Sequence, residues 1–252
     1  VSQTPGPIRL IPLLGIPAVR PGDDLASLIR TAADSCDVSL RGGALVVCQK
    51  VVSKAEGRVI DLADVVPGEQ AMQIAAEDDR DPRQTELVLQ ESRRIVRRGH
   101  GVLITETHHG FVCANSGLDL SNAVSPDSAV LLPIDPDASA RALRDALIRN
   151  GAGPLAVIIS DTFGRPWRDG LVDIALGSAG IAPIADFRGG TDLVGRELEV
   201  TATATCDQLA AAAGILMQKA AGIPAVWIDG HPIEGDGSVR ETLRDPSTDL
   251  FR

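Results

Sequence analysis

Leu155-Ala156-Val157-Ile158-Ile159-Ser160-Asp161-Thr162-Phe163-Gly164-Arg165-Pro166-Trp167-Arg168 is the stretch that decides the fold class. The aliphatic run Leu155 to Ile159 reads as a buried strand of a parallel sheet. It stops on an Asp, a Thr, a Gly and two Arg residues. In α/β folds the C-terminal ends of such strands open into the ligand crevice. A hard anion there, flanked by cations, points to a metal and a phosphate. The same Asp161 also reads as a plain cap, in which a strand passes through a tight turn into a helix.

Working outward, Ala44 to Val52 is a second strong strand. It runs into Ser53-Lys54-Ala55-Glu56-Gly57-Arg58, where Lys54 and Arg58 either hold phosphate oxygens or dress a solvated end. Ile8 to Leu14 and Pro224 to Ile228 are further short strands. The turn Gly15-Ile16-Pro17-Ala18-Val19 leaves backbone groups outside regular pairing. Pro21-Gly22-Asp23-Asp24 starts a helix with Leu25, Leu28, Ile29 and Ala32 on one face. Ser139 to Asn150 is a helix closed by Gly151. Asp81 to Arg98 is predicted as one helix, whose terminal Arg93, Arg94, Arg97 and Arg98 suit the dipole or bind an anionic substrate.

Asn115 to Asn122 is too polar for a core element. It carries a carboxylate, two amides and two hydroxyls within eight residues, although alone it would pass for an Asx-rich loop. His108 and His109 on an extended chain point to opposite faces, so a structural role is the default for them. Ala175 to Ala182 is small and suited to close packing. Glu197 to Thr205 alternates like a strand. Thr205-Cys206-Asp207-Gln208 matches a capping box opening a helix from Leu209 to Ala221, whose N-terminal amides either are simply capped or receive a phosphate.

The totals exclude several classes. A net charge of −10 over 252 residues argues against a nucleic-acid partner, and 2% aromatic content with no Tyr leaves few stacking platforms. Cys36, Cys48, Cys113 and Cys206 form no CxxC pair and are expected as reduced, mostly buried thiols of a cytoplasmic protein. No apolar run reaches membrane-spanning length, and the N-terminal residues lack a signal-peptide pattern. Walker, Rossmann and nucleophile-elbow motifs are absent, so a bound nucleotide would be held outside those folds.

Three pieces fit one family. Val51-Val52-Ser53-Lys54-Ala55-Glu56-Gly57-Arg58, the run Glu106 to Asn122, and Ser160-Asp161-Thr162-Phe163-Gly164-Arg165-Pro166-Trp167-Arg168 resemble the signatures of the coenzyme F420-0:L-glutamate ligases. The resemblance spans about Ile8 to Phe251 and implies one ligase domain over 8–252. The implied fold is an unusual mixed α/β one in an intertwined homodimer. The implied activity is GTP-dependent addition of γ-linked L-glutamate to the deazaflavin precursor F420-0, through an acyl phosphate, with Mg2+ or Mn2+ and assisted by K+. A similar module is fused in some members to a C-terminal flavin-binding domain, so either a free-standing ligase or an N-terminal module is expected. Carried over by position, the metal ligands fall on Asp119, Asp161 and Thr162. The guanine-nucleotide contacts fall on Ile16, Pro17, Ala18, Val19, Gln49, Lys54, Asn122 and the segment around Cys206 to Ala213, Asp207 included. Two positions depart from the pattern: Gln49 replaces a small hydroxyl residue, and Gln208 replaces a carboxylate. A phosphohydrolase using the same aspartates, or a non-catalytic deazaflavin-binding protein, is the rival expectation.

Overall fold

The computed structural model describes residues 6–121, 127–218 and 220–250. Chain order is β1 (Arg9–Pro12), α1 (Leu25–Ser35), β2 (Ala44–Cys48), α2 (Gln49–Ala55), β3 (Val59–Asp61), α3 (Glu69–Asp78), α4 (Pro82–Gln90), β4 (Ser92–Gly99), β5 (Val102–Thr107) and β6 (Val112–Ala114). There follow β7 (Ser128–Val130), α5 (Pro136–Arg149), β8 (Ala156–Arg165), β9 (Arg168–Ala179), β10 (Ala185–Asp186), β11 (Ala202–Thr203), α6 (Thr205–Met217) and β12 (Ala225–Asp229). The architecture is α/β, as expected.

The main sheet has the order β1-β12-β2-β8-β9. β2 and β8 are parallel, with Cys48 opposite Ser160; β12 and β9 run against them, and β1 runs against β12. β1, β2 and β8 therefore all end at the same edge. The central strands are apolar on both faces because both faces are covered. Leu45, Val47, Val157, Ile159 and Trp227 face a core built with α1 and α5. Val46, Ile158, Val226 and Ile228 face a second core with Leu209, Ala213 and Met217 of α6. The small-residue reading of Ala175 to Ala182 holds at Gly177. A Cβ there would lie 2.2 Å from the backbone of Pro136, so only Gly lets β9 pass the start of α5.

Between α2 and α5 the chain builds an inserted lobe. β3 pairs with β7, β4-β5-β6 form an antiparallel sheet, and α3 and α4 cover them. Its cores are small: Leu62, Leu87, Ala129 and Leu131 in one cluster, Ile74, Val88 and Leu103 in another.

Four sequence expectations change. The strand from Ala44 to Val52 ends at Cys48, and Gln49 opens α2, tied by Ser53 Oγ donating to Gln49 Oε1 at 2.8 Å. The helix from Asp81 to Arg98 stops at Gln90, and the arginines lie on strand β4, where antiparallel pairing with β5 wins over helix propensity. Arg94 and Arg98 there pair with Glu106 and with Asp78 and Glu77. The strand Glu197 to Thr205 shrinks to Ala202–Thr203. The helix predicted to start at Leu209 starts at Thr205, behind Ala204, with no side-chain cap.

Candidate functional site

Asp161 does not end its strand. β8 continues to Arg165 and turns through Pro166 and Trp167 into β9, with Asp161 opposite Ile174 and Thr162 opposite Asp173. The strand-turn-helix reading is thus replaced by a long hairpin that carries Asp161 beyond the parallel part of the sheet. Asp161 is partly buried. Burial pushes its carboxyl up to about 7, and the negative charges of Asp119 and Asp173 add to that while Lys50 opposes it. Thr162 is exposed, and its hydroxyl donates to Asp173 Oδ1 at 2.6 Å.

Asp119 comes from the inserted lobe. Its backbone exchanges two hydrogen bonds with Val130, which fixes the segment to the end of β7. Its Oδ1 accepts from the Ser121 amide at 2.6 Å, and Lys50 Nζ lies 2.7 Å from Oδ2. Burial raises this carboxyl, but the bonds from Lys50 and Ser121 outweigh it and the net direction is down. Lys50, two residues past Cys48, which lies opposite Ser160, ties Asp119 to the end of the strand pair that carries Asp161, so the two predicted metal ligands come to one end of the sheet from distant parts of the chain.

Lys54 lies in the last turn of α2, not at a strand end. Burial and then the charge of Lys50 lower its ammonium, and Asp119 pulls it back up. Gln49 is fully buried, and its Nε2 finds no partner among the described residues. Ile16, Pro17, Ala18 and Val19 follow β1 at the same sheet edge, and the Gly22 amide donates to Ala55 O of α2 at 2.9 Å. Pro17, Ala18, Arg20 and Asp24 border an open depression of about 540 Å3. Asn122 lies outside the described residues.

Asp207 reaches β9 next to Ile174, the partner of Asp161, from another element. It belongs to α6, which packs on the other face of the sheet from α1 and α2. Its Oδ1 accepts from Ala175 N at 2.9 Å, where the β8–β9 register shifts, and burial raises its pKa. The start of α6 lies against Pro183 O, beyond the far end of β9. Further along the same helix, a Cβ on Gly214 would lie 2.6 Å from Asp173 Oδ2. Arg58 is taken up inside the lobe by Leu132 O at 2.9 Å and Glu91 at 2.7 Å. His108 and His109 each meet a backbone carbonyl, of Gln90 and Pro133 respectively, at 2.8 Å, as structural residues do.

Lys50 and Asp173 belong to this neighbourhood and were not singled out in the sequence. Each has a signal in hindsight. Lys50 precedes Lys54 by one helical turn, and Asp173 mirrors Thr162 across the hairpin.

Four thiols are free. Burial pushes Cys48 up to about 11 and Cys113 and Cys206 up to about 12, so these three stay protonated and supply no nucleophile near neutral pH. No group of three His, Cys, Asp or Glu residues forms a ready metal cage among the described residues. A pair of carboxylates still fits Mg2+ or Mn2+, hard ions of the kind held by one or two carboxylates together with substrate phosphates. The raised pKa of Asp161 is the mark of a place where added positive charge is favoured.

Residues 14–230 match the model of the F420-0:Gamma-glutamyl ligase family. The coenzyme F420:L-glutamate ligase of Methanothermobacter thermautotrophicus is 46% identical over 250 residues, which cover 97% of this chain and 99% of that protein. The protein of the same name from Methanopyrus kandleri is 45% identical over 240 residues, 93% of each chain. That of Archaeoglobus fulgidus is 39% identical over 246 residues, 97% of this chain and 96% of that protein. With Asp119 and Asp161 inside the matched region and the relatives covered over nearly their whole length, the chain belongs to the F420-0:Gamma-glutamyl ligase family.

Proposed function

We propose that this chain is a GTP-dependent ligase that adds L-glutamate to F420-0 through γ-linkages, in coenzyme F420 biosynthesis. The observation that carries the reading is the meeting of Asp119 and Asp161 with Lys50 and Lys54 at one sheet edge, within the family match. A carboxylate is a poor electrophile. Transfer of the γ-phosphoryl group of GTP to the substrate carboxylate gives an acyl phosphate, which the glutamate amine then attacks, releasing phosphate. The first step sets an anion against a triphosphate.

Asp119 and Asp161, with the Thr162 hydroxyl, would hold Mg2+ or Mn2+, which supplies charge neutralisation on the phosphates. Lys54 would add a point charge to the same oxygens. The Ile16–Val19 turn, Gln49 and Asn122 complete the nucleotide side of this reading, and Asp207 belongs to it by position in the family. Potassium likewise enters through the resemblance. No protein nucleophile is needed, which agrees with thiols that stay protonated.

An intertwined homodimer is part of the same proposal. It is supported by apolar side chains on projecting segments: Trp167 and Leu171 on the β8–β9 hairpin, and Phe187, Leu193 and Val194 between β10 and β11. Such a set calls for a covering partner. Among the described residues no helix is long and apolar enough to cross a membrane, and a cytoplasmic setting goes with the proposed small-molecule substrates.

The test is mass spectrometry of F420-0 incubated with the protein, GTP, L-glutamate and Mg2+ or Mn2+. A mass gain of one or more glutamyl units that requires GTP supports the reading. GTP hydrolysis that ignores glutamate, with no product, refutes it.

A further inference from the structure

The inference concerns Lys50 and rests on the proposed metal role of Asp119 and Asp161. Lys50 is the second residue of α2, immediately past the end of β2. Its Nζ lies 2.7 Å from Asp119 Oδ2 and donates to Ser121 Oγ at 3.1 Å. The other Asp119 oxygen is engaged by the Ser121 amide. Its positive charge also bears on Asp161 and on Lys54. One ammonium thus pairs with Asp119, stands one helical turn before Lys54, and lies two residues past Cys48, the strand partner of Ser160 beside Asp161.

A divalent ion bound to a carboxylate oxygen sits at roughly 2.0–2.6 Å from it. At Asp119 it would have the Lys50 ammonium for a close neighbour, and the two cations repel. A phosphate chain removes the conflict. An ammonium has three donors on a flexible stem, so it can swing from a carboxylate to a phosphate oxygen without leaving the site. With Lys54 one turn further on, α2 then presents two cations to a polyanion.

We propose that Lys50 makes cation binding conditional on the nucleotide. It serves Asp119 as a resident counter-charge and passes to a phosphate oxygen when the metal and the phosphate chain bind together. Lys50 is thereby a positioning residue that ties two ligands into one event and suppresses binding of the bare ion.

Mn2+ titration by electron paramagnetic resonance at about pH 8, where both carboxylates are largely ionised, tests this. It is run on the wild type, Lys50→Met, Lys50→Gln and Lys50→Arg, each with and without a non-hydrolysable GTP analogue. In the wild type, Mn2+ binds more tightly with the analogue. In Lys50→Met and Lys50→Gln, bare Mn2+ affinity should rise by about threefold or more. Affinity in the presence of the analogue should fall, so the two readings move in opposite directions. Lys50→Arg keeps the charge and should keep the wild-type order. The Gln variant retains a polar side chain should Met not be tolerated at this site.

A neutral variant that binds Mn2+ more weakly in both conditions, or unchanged in both, overturns the proposal: Lys50 then merely braces Asp119 or does nothing. If the wild type binds no Mn2+ in either condition, the metal reading itself falls and the inference goes with it. Wild-type binding together with unchanged variants sinks the inference alone.

Discussion

β8 and the segment around Asp119 each bring a carboxylate to the same place and treat it in opposite ways. Asp161 grows out of a strand packed between two aliphatic cores, and burial pushes its carboxyl up to about 7. Asp119 hangs from an inserted lobe with small cores, and Lys50 and Ser121 hold it below its ordinary range. The sheet makes its acid costly to ionise; the lobe supplies its acid with a counter-charge in advance. A cation arriving between them relieves the first cost and competes with the second arrangement. Opposed environments for two nearby acids are a recurring sign of a working site.

The comparison can be broken first at the sheet. Ile158→Ala removes a fully buried side chain from the central strand and should cost about 3–5 kcal/mol in chemical denaturation. Leu103→Ala, equally buried but in a three-residue cluster of the lobe, should cost about 2 kcal/mol, toward the low end of such changes because the site can collapse. Equal losses would mean that the lobe and the sheet are one cooperative core.

The second expectation is a pH slope. Asp161 has its folded-state pKa raised from 3.8 to about 7, so the folded chain keeps a proton that the unfolded chain releases. With chelator present, this group makes stability fall as pH climbs from about 4 to about 7, and the fall levels off above that. Asp161→Asn should remove the slope and stabilise the metal-free protein above pH 7, by up to about 4 kcal/mol. Thermal melts across pH would show it, and a variant less stable than wild type at pH 8 would contradict the buried-charge account. The same substitution should lower ligation by about 100-fold or more, measured as glutamyl product per minute.

The smallest effect is at Asp119. Its lowered pKa means that its contribution to stability is present above 3.8 and is lost as pH falls through the folded value. Asp119→Asn should therefore destabilise the metal-free protein at neutral pH by about 1 kcal/mol, the opposite sign to Asp161→Asn. Matching signs would erase the contrast between the two regions.

Much of the sheet was legible. The runs at Ala44, Leu155 and Pro224 are aliphatic because those strands are covered on both faces, and only burial explains such runs. The site was legible through its polar segments at Asn115 and Asp161. The seam between them was not. Val51 and Val52 are β-branched, so the strand reading ran past Cys48 and hid the point where the chain leaves the sheet at Gln49. With it went Lys50, which on a strand would be buried and on the helix reaches Asp119. The hairpin was missed for a related reason: Arg165-Pro166-Trp167-Arg168 reads as a loop start, while the pairing that returns Asp173 to Thr162 is non-local. The capping box at Thr205 failed because the helix starts one residue earlier: Ala204 is the cap position, the Gln208 amide donates to Ala204 O, and Thr205 is already helical. Tertiary partners decided the first two of these, and local sequence does not name them.

The central claim is that Asp119 and Asp161 act through one shared cation. Mn2+ affinity in the presence of a non-hydrolysable GTP analogue, measured by calorimetry for the wild type, Asp119→Asn, Asp161→Asn and the double variant, tests it most directly. Each single variant should lose about 100-fold, and the double variant should be little worse than either, because the second change removes a ligand from an ion already lost. Losses that add as independent factors, or a single variant that binds Mn2+ like the wild type, would show that the two carboxylates do not share an ion.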